Sequence, residues 1–469
     1  MLAGQEKNKK LGGLEVRRRR SLRILIGIWC AGFLALVVGG TFALTEITGS
    51  DAEAAITPAP GPVTATPQVA PAPADAPAPA AAALGAILAT AVANPALGTL
   101  TGSVTDTATG TVLWSQDPDR PMIPASTTKV LTAAAALLSL PPDHRITTRV
   151  VEGSRPGEIV LVAGGDPTLT AVPVGADGFY PGAPRIADLV QQIQRSGALV
   201  DTVLVDTGSY MGDPMAAGWT PSDVEGGYIA PIEPVMLDGG RLNPREDESP
   251  RSATPALDAG RALAAALGAD PATVAFGTAS PGAAPLASVQ SALLRDRLRQ
   301  MMDHSDNVLA ETIGREIAVA SGSPASFTGA VDSVLRALAT AGFDVGDVTM
   351  HDVSGLSVDN RIPARLLDAV MASAAGGEQD SLRPMLDYLP VAGATGTLSD
   401  RYASANRDGA GWVRAKTGTL SEASGLVGTV VDVDGRVLSF ALMSNDRLPG
   451  ESRPALDAVA ATLRGCGCR

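Results

Sequence analysis

The chain has 469 residues, 45% of them hydrophobic, enough for one large domain with an insertion or for two or three smaller ones. Only 3% are aromatic, so Ala, Val and Leu have to fill the core. The net charge of −13 is unevenly spread: residues 1–23 hold eight basic and two acidic residues, which leaves −19 on the rest and argues against a nucleic-acid partner.

Residues 1–23 read as a cytoplasmic basic tail, with Lys7, Lys9, Lys10 and the run Arg17 to Arg20. An uncharged apolar stretch follows at 24–44; at about 1.5 Å per residue it spans ~30 Å, one hydrocarbon thickness. A basic flank ahead of such a stretch predicts a single-pass signal-anchor. The N-terminus then stays in the cytoplasm and the remainder is extracytoplasmic. Residues 45–83 are rich in Pro and Ala, a composition that gives an extended linker rather than a core.

From residue 84 the pattern is globular. A short helix is predicted over 84–92, and a β-hairpin over 102–105 and 111–115. An apolar helix is predicted from Ser126 to residue 140, stopped by Pro141 and Pro142. Residues 145–290 alternate short β-like runs (158–162, 200–205) with Gly- and Pro-rich loops. A helix is predicted over 305–320 and a strand over 412–415. Asp434-Gly435 marks a hairpin between 425–432 and 437–443, and a last helix covers 454–463. Strands at both ends with helices between them give an α+β domain, 84–144 plus 291–469, interrupted by an accessory region at 145–290. Cys466 and Cys468, one residue apart at the C-terminus, read as free thiols on a frayed end.

Lysine usage is the sharpest signal. Beyond the basic tail there are two lysines, Lys129 and Lys416, in a region that otherwise takes its positive charge from Arg. Arg does not release its proton in a protein, whereas a desolvated amine can, so a lysine retained in such a region suits a base. Lys129 stands three residues after Ser126, about one helical turn on and on the same face. It can therefore take the proton of a nucleophilic hydroxyl, and the N–H at the helix start can face an oxyanion. Lys416 opens Lys416-Thr417-Gly418-Thr419, where hydroxyls and charge suit a substrate carboxylate and a small Gly418 leaves room for substrate along a strand. Between the two lies Ser305-Asp306-Asn307, with Ser305 placed to relay a proton to a leaving amine and Asn307 to hold the peptide amide. Each motif alone has a bland explanation as a helix cap, a polar turn or a solvent lysine. The set, in this order, is that of penicillin-binding proteins and class A β-lactamases.

The chain resembles the serine D-Ala-D-Ala carboxypeptidase/endopeptidase family, the class C low-molecular-mass penicillin-binding proteins. Further stretches carry the resemblance: 163–169, 228–237, Ser354-Gly355-Leu356-Ser357, and 389–393 ahead of 396–398. It implies a helix–sheet–helix sandwich around a five-stranded, mostly antiparallel sheet, with an inserted accessory domain. It also implies catalytic roles for Ser126, Lys129, Ser305, Asn307 and Lys416, and substrate binding at Thr417, Gly418 and Thr419. The implied substrates are peptidoglycan stem peptides ending in D-Ala-D-Ala, or the cross-links between them, and β-lactams are the implied covalent inhibitors. Val353 departs from the resemblance, standing where the family pattern has Gly.

Other chemistries fit less well. His144, His304 and His351 have no metal spacing, His304 is expected to point to another face of its helix than Ser305, and neither a phosphate loop nor a dinucleotide fingerprint is present. No metal or cofactor is expected. Two alternatives remain on the same fold. A β-lactamase would need a deacylating Glu, and Glu311, Glu316 and Glu378 are poorly placed for that; a non-catalytic wall-binding protein would not keep the three motifs.

Overall fold

The computed structural model describes residue 73 and residues 75–467. The expected tail and anchor lie outside the described residues, and no helix among the described residues is long and apolar enough to cross a membrane.

Helix α1 (Ala81–Val92) leads into strands β1 (Thr99–Asp106) and β2 (Thr111–Gln116), the predicted hairpin. A two-residue strand β3 (Pro121–Met122) and a tight 3-10 turn at Ala125–Thr128 precede helix α2 (Lys129–Ser139). The accessory region then contributes β4 (Thr147–Glu152), β5 (Glu158–Val162), β6 (Asp166–Leu169), α3 (Ile186–Ser196), β7 (Thr202–Asp206), α4 (Pro221–Glu225), β8 (Val235–Leu237), α5 (Pro255–Leu267), β9 (Ala275–Phe276) and β10 (Pro285–Gln290). Helices α6 (Leu294–Asp303), α7 (Asn307–Ala320) and α8 (Phe327–Thr340) follow, then β11 (Ile362–Pro363), paired with β3, and α9 (Ala364–Gly376). Strands β12 (Val413–Leu420), β13 (Ala423–Val431) and β14 (Val437–Asn445) and helix α10 (Pro449–Arg464) complete the chain.

The main sheet has the order β12-β13-β14-β1-β2, and every neighbour is antiparallel. Strands β1, β13 and β14 are buried on both faces, and residue alternation assigns each face its own core. On β14, Phe440 and Leu442 pack with Leu84, Leu88, Leu456 and Val459 of α1 and α10, while Ala441 and Met443 pack with α2, α7, α8 and α9 on the other side. The result is a helix–sheet–helix sandwich with α2 buried throughout most of its length. A second sheet, β10-β4-β5-β7-β9, is built wholly from residues 147–290. It is parallel across β5, β7 and β9, and helices α3 and α5 cover it.

Several element boundaries differ from the sequence expectation, each for a local reason. The helix expected from Ser126 is 3-10 through Thr128 and turns α-helical only at Lys129. Ser305 does not start the next helix. It adopts a left-handed φ of 59°, and Asp306 is the cap, its Oδ1 accepting the Leu309 N–H at 2.9 Å. Strand β12 does not stop at 415 but runs on through Lys416 to Leu420, paired with β13 all the way. Helix α10 starts at Pro449 rather than 454, because Pro at a first helical position forfeits no hydrogen bond. Cys466 is not a free thiol on a frayed end: it is fully buried against the α1/α10 core and disulfide-bonded.

Candidate active site

Ser126 sits on the 3-10 turn at the head of α2, where the preceding Ala125 is held at φ 48°, an uncommon conformation for a residue with a Cβ. Five contacts over-determine that turn. The hydroxyls of Thr127 and Thr128 donate to the carbonyls of Pro124 (2.7 Å) and Ala125 (2.9 Å). Gly355, at φ +86°, lies so close that an added Cβ would sit 1.9 Å from the Ala125 carbonyl oxygen. From the sheet side, a Cβ on Gly418 would come within 2.7 Å of the Pro124 carbonyl oxygen, and one on Gly425 within 2.8 Å of Thr127. The small size of Gly418 thus admits the Ser126 turn to the sheet, in the space that the sequence reading reserves for substrate.

Lys129, one turn after Ser126, is fully buried, and its amine donates to three acceptors: Ser126 Oγ at 2.9 Å, Asn307 Oδ1 at 2.5 Å and the Ser354 carbonyl at 2.7 Å. Burial pushes the amine down from 10.5 to about 8, against the opposing pull of Asp352, Asp306 and Glu311. Lys416 is also fully buried. Desolvation and the charge of Lys129 hold its amine well below the ordinary lysine range, and it donates to the Thr417 carbonyl at 3.0 Å.

Strand β12 is the free edge of the main sheet. Its Val413 carbonyl and Ala415 N–H bond outward, to Ala392 and Pro390. By the two-residue repeat of an antiparallel ladder, the N–H groups of Thr417 and Thr419 point to the same outer side. Thr417 Oγ1 lies 2.8 Å from Thr397 Oγ1. A cleft of about 660 Å³ opens along this edge, lined by Ser126, Ser305, Asn307, Thr417 and Thr419, together with His304 and, from the accessory region, Tyr228. The three motifs, up to 290 residues apart in sequence, therefore meet at one opening.

The sequence pattern of the D-Ala-D-Ala carboxypeptidase 3 (S13) family matches residues 84–249 and 245–463. The chain belongs to this family. A second pattern, the carboxypeptidase Rv3627c-like N-terminal domain, matches residues 15–71. Among characterised relatives, carboxypeptidase DacB of Mycolicibacterium smegmatis is 52% identical, over 96% of this chain and 99% of its own length. Carboxypeptidase Rv3627c of Mycobacterium tuberculosis is 50% identical over the same shares. In fold, the chain is similar to penicillin binding protein 4 from Haemophilus influenzae, with a TM-score of 0.65, 20% identity, and coverage of 81% of this chain and 97% of that one.

Within this S13 member the accessory region reaches the Ser305–Asn307 turn directly. Asp306, buried, accepts from Tyr180 Oη (2.7 Å) and Arg241 Nη2 (3.1 Å), and Arg241 also donates to Tyr180 Oη (2.8 Å). Burial alone would raise the Asp306 carboxyl, but Arg241 and Arg251 bring it down to about 2. Asn307 Nδ2 donates to the Tyr228 carbonyl at 2.9 Å, so both ends of Asn307 are engaged, one with Lys129 and one with the accessory wall. Contrary to expectation, His304 and Ser305 share no helix and line the same cleft: His304 caps α6 and pairs through Nδ1 with Asp247 at 3.0 Å.

Motif reading does not reach Tyr180 or Arg241, and it gives no supporting role to Glu311 or Asp352. Asp352 takes four hydrogen bonds, from Trp219 Nε1, Asn360 Nδ2 and the N–H groups of Gly355 and Ser357. Val353, the departure from the family pattern, is buried, and Gly314 of α7 makes its room: a Cβ there would lie 2.6 Å from Val353 Cγ2. The helix facing the loop is small at that point, which leaves room for the Val353 side chain.

Proposed function

We propose that this chain is a serine D-Ala-D-Ala carboxypeptidase that works through an acyl-enzyme on Ser126, with Lys129 as the base. The observation that carries this reading is a buried amine, lowered to about 8, hydrogen-bonded at 2.9 Å to a hydroxyl that opens onto the cleft. Neutral Lys129 takes the Ser126 proton as Oγ attacks the carbonyl of the penultimate D-Ala. The N–H groups of Ser126 and Thr419 meet the oxyanion. As the C–N bond breaks, Ser305 passes a proton to the departing amine of the terminal D-Ala and takes one back from the Lys129 ammonium, which leaves Lys129 neutral again, while Asn307 holds both Lys129 and the substrate side of the cleft. Water, deprotonated by the same amine, then releases the acyl peptide as a carboxylate and returns the proton to Ser126. Thr417, Thr419 and the charge of Lys416 receive the terminal carboxylate.

A β-lactam follows the first half of this path, but its leaving nitrogen stays tethered to the acyl group, so the ester persists. The same geometry serves endopeptidase cutting wherever the leaving amine belongs to a cross-linked neighbour. Residues 24–44 are proposed as an anchor that leaves the cleft on the outer side of the membrane, supported by the basic flank and apolar length of that stretch. Incubation with a fluorescent penicillin should label the wild type covalently and leave Ser126→Ala unlabelled; a persisting label in the variant would move the nucleophile elsewhere. Mass spectrometry of products from defined stem peptides should show loss of one terminal D-Ala.

A further inference from the structure

Helix α7 carries Asn307, Glu311 and Arg315 at four-residue intervals, which places them along one stripe. Asn307 touches the Lys129 amine directly. Glu311 reaches the same amine by another route. Its Oε1 accepts the N–H groups of Val353 (3.0 Å) and Ser354 (2.8 Å), and the Ser354 carbonyl accepts from Lys129 Nζ at 2.7 Å.

The peptide units of this loop each join a buried carboxylate to helix α2. The unit joining Val353 and Ser354 has its N–H on Glu311 and its C=O on Thr132 Oγ1 (2.5 Å), one turn beyond Lys129. The unit joining Ser354 and Gly355 has its N–H on Asp352 Oδ1 (2.9 Å) and its C=O on Lys129. Glu311 has no exposed surface and does not line the cleft, so it cannot reach an acyl group or a hydrolytic water there. Its other oxygen, Oε2, has no hydrogen bond and faces Arg315 Nη1 at 3.5 Å. The charged groups around Glu311 are Arg315 on its own helix, Asp352 on the loop and Lys129 on α2. Phe327 covers Arg315 on the far side.

We propose, on the reading that Lys129 is the base, that Glu311 is a positioning residue for acylation: it holds the Ser354 carbonyl against the Lys129 amine, and its negative charge sets the pH range in which that amine is free to accept a proton. Burial and the charge of Asp352 bring the Glu311 carboxyl up to about 7, just below the Lys129 amine at about 8. Ionised, it favours the ammonium form of Lys129; neutral, it releases that hold.

The test is the rate of covalent labelling by a fluorescent penicillin, followed from pH 5 to 9 on the full chain for wild type, Glu311→Gln and Glu311→Asp. In wild type, labelling falls on the acid side as Lys129 gains its proton. Glu311→Gln removes the negative charge, and the midpoint of that fall should move down by about 0.5–1 pH unit. Glu311→Asp keeps the charge but withdraws it from the loop, and should leave the midpoint in place while lowering the plateau about fivefold or more. A part that only supports the fold would lower rates without moving the midpoint. An unchanged midpoint in Glu311→Gln, or a wild-type plateau in Glu311→Asp, overturns the proposal. Should Glu311→Gln not fold, a wild-type plateau in Glu311→Asp still overturns the proposal. Failure of the wild type to label at any pH would instead count against Ser126 and Lys129 as the acylating pair.

Discussion

Replacing Lys129 by Met should abolish acylation and yet make the protein more stable at neutral pH. The side chain is fully buried, and its amine falls from 10.5 to about 8. At about 1.4 kcal/mol per pKa unit, its protonated form costs the fold roughly 3 kcal/mol at pH 7. Met fills a similar volume without that charge. The variant leaves the buried Ser354 carbonyl without its donor, a loss of about 1–3 kcal/mol, whereas Ser126 and Asn307 border the cleft and can turn to water. The net gain is ~0–2 kcal/mol, or a rise of up to roughly 4 °C in Tm. The sign follows from a depressed lysine. Below pH 8 the amine is charged in both states and the full cost applies. Between pH 8 and 10.5 the folded amine is already neutral while the unfolded one is not, and the cost fades. Paired thermal scans of variant and wild type from pH 6 to 10 should therefore show an advantage at pH 6–7 that is gone by pH 10. A variant less stable than wild type at pH 7, or an advantage independent of pH, would refute the account of a desolvated, partly charged base.

Lys129→Arg should acylate at least 100-fold more slowly than wild type, since a guanidinium keeps its proton; stopped-flow labelling reads this directly. Arg241→Met strands the buried Asp306 carboxylate and should cost about 3–5 kcal/mol in urea denaturation. Asp306 lies at about 2 when folded, against 3.8 ordinarily, so its contribution is present above pH 3.8 and fades as pH drops toward 2. Acid titration of wild type against Asp306→Asn should show the difference shrinking over that interval. Gly355→Ala puts a Cβ against the Ala125 carbonyl at a positive φ and should cut labelling of Ser126 at least tenfold, with the rate restored in no larger substitution.

What could be seen in the sequence followed from chemistry that is local in the chain. Lys129 stood out because Arg supplies the surface charge elsewhere, and its spacing from Ser126 is one helical turn. The hairpin at Asp434-Gly435 was legible because that turn needs a residue that accepts positive φ, and Gly435 has φ 89°. Ser305 reads as a helix start because nothing in Ser-Asp-Asn tells which residue turns left-handed and which caps. Strand β12 was cut short because Lys-Thr-Gly-Thr looks like a polar turn until β13 pairs with it and the cleft takes its outer side. The hidden part of the site rests on contacts between distant positions. Asp306 meets Arg241 across 65 residues and Tyr180 across 126, and Glu311 meets Ser354 across 43. No periodicity in a single chain encodes such pairings. Cys466 was misread for the same reason, since its burial depends on α1, far away in sequence.

The nearness of two buried amines, each reluctant to be charged while the other is, ties ligand affinity to proton traffic. A carboxylate arriving at the Thr417 and Thr419 hydroxyls adds to the counter-charge that Asp303 brings to Lys416, so its binding favours the ammonium form of that amine. Anionic ligands should consequently bind more weakly as the medium turns alkaline, and the heat of binding should change with the ionisation enthalpy of the buffer.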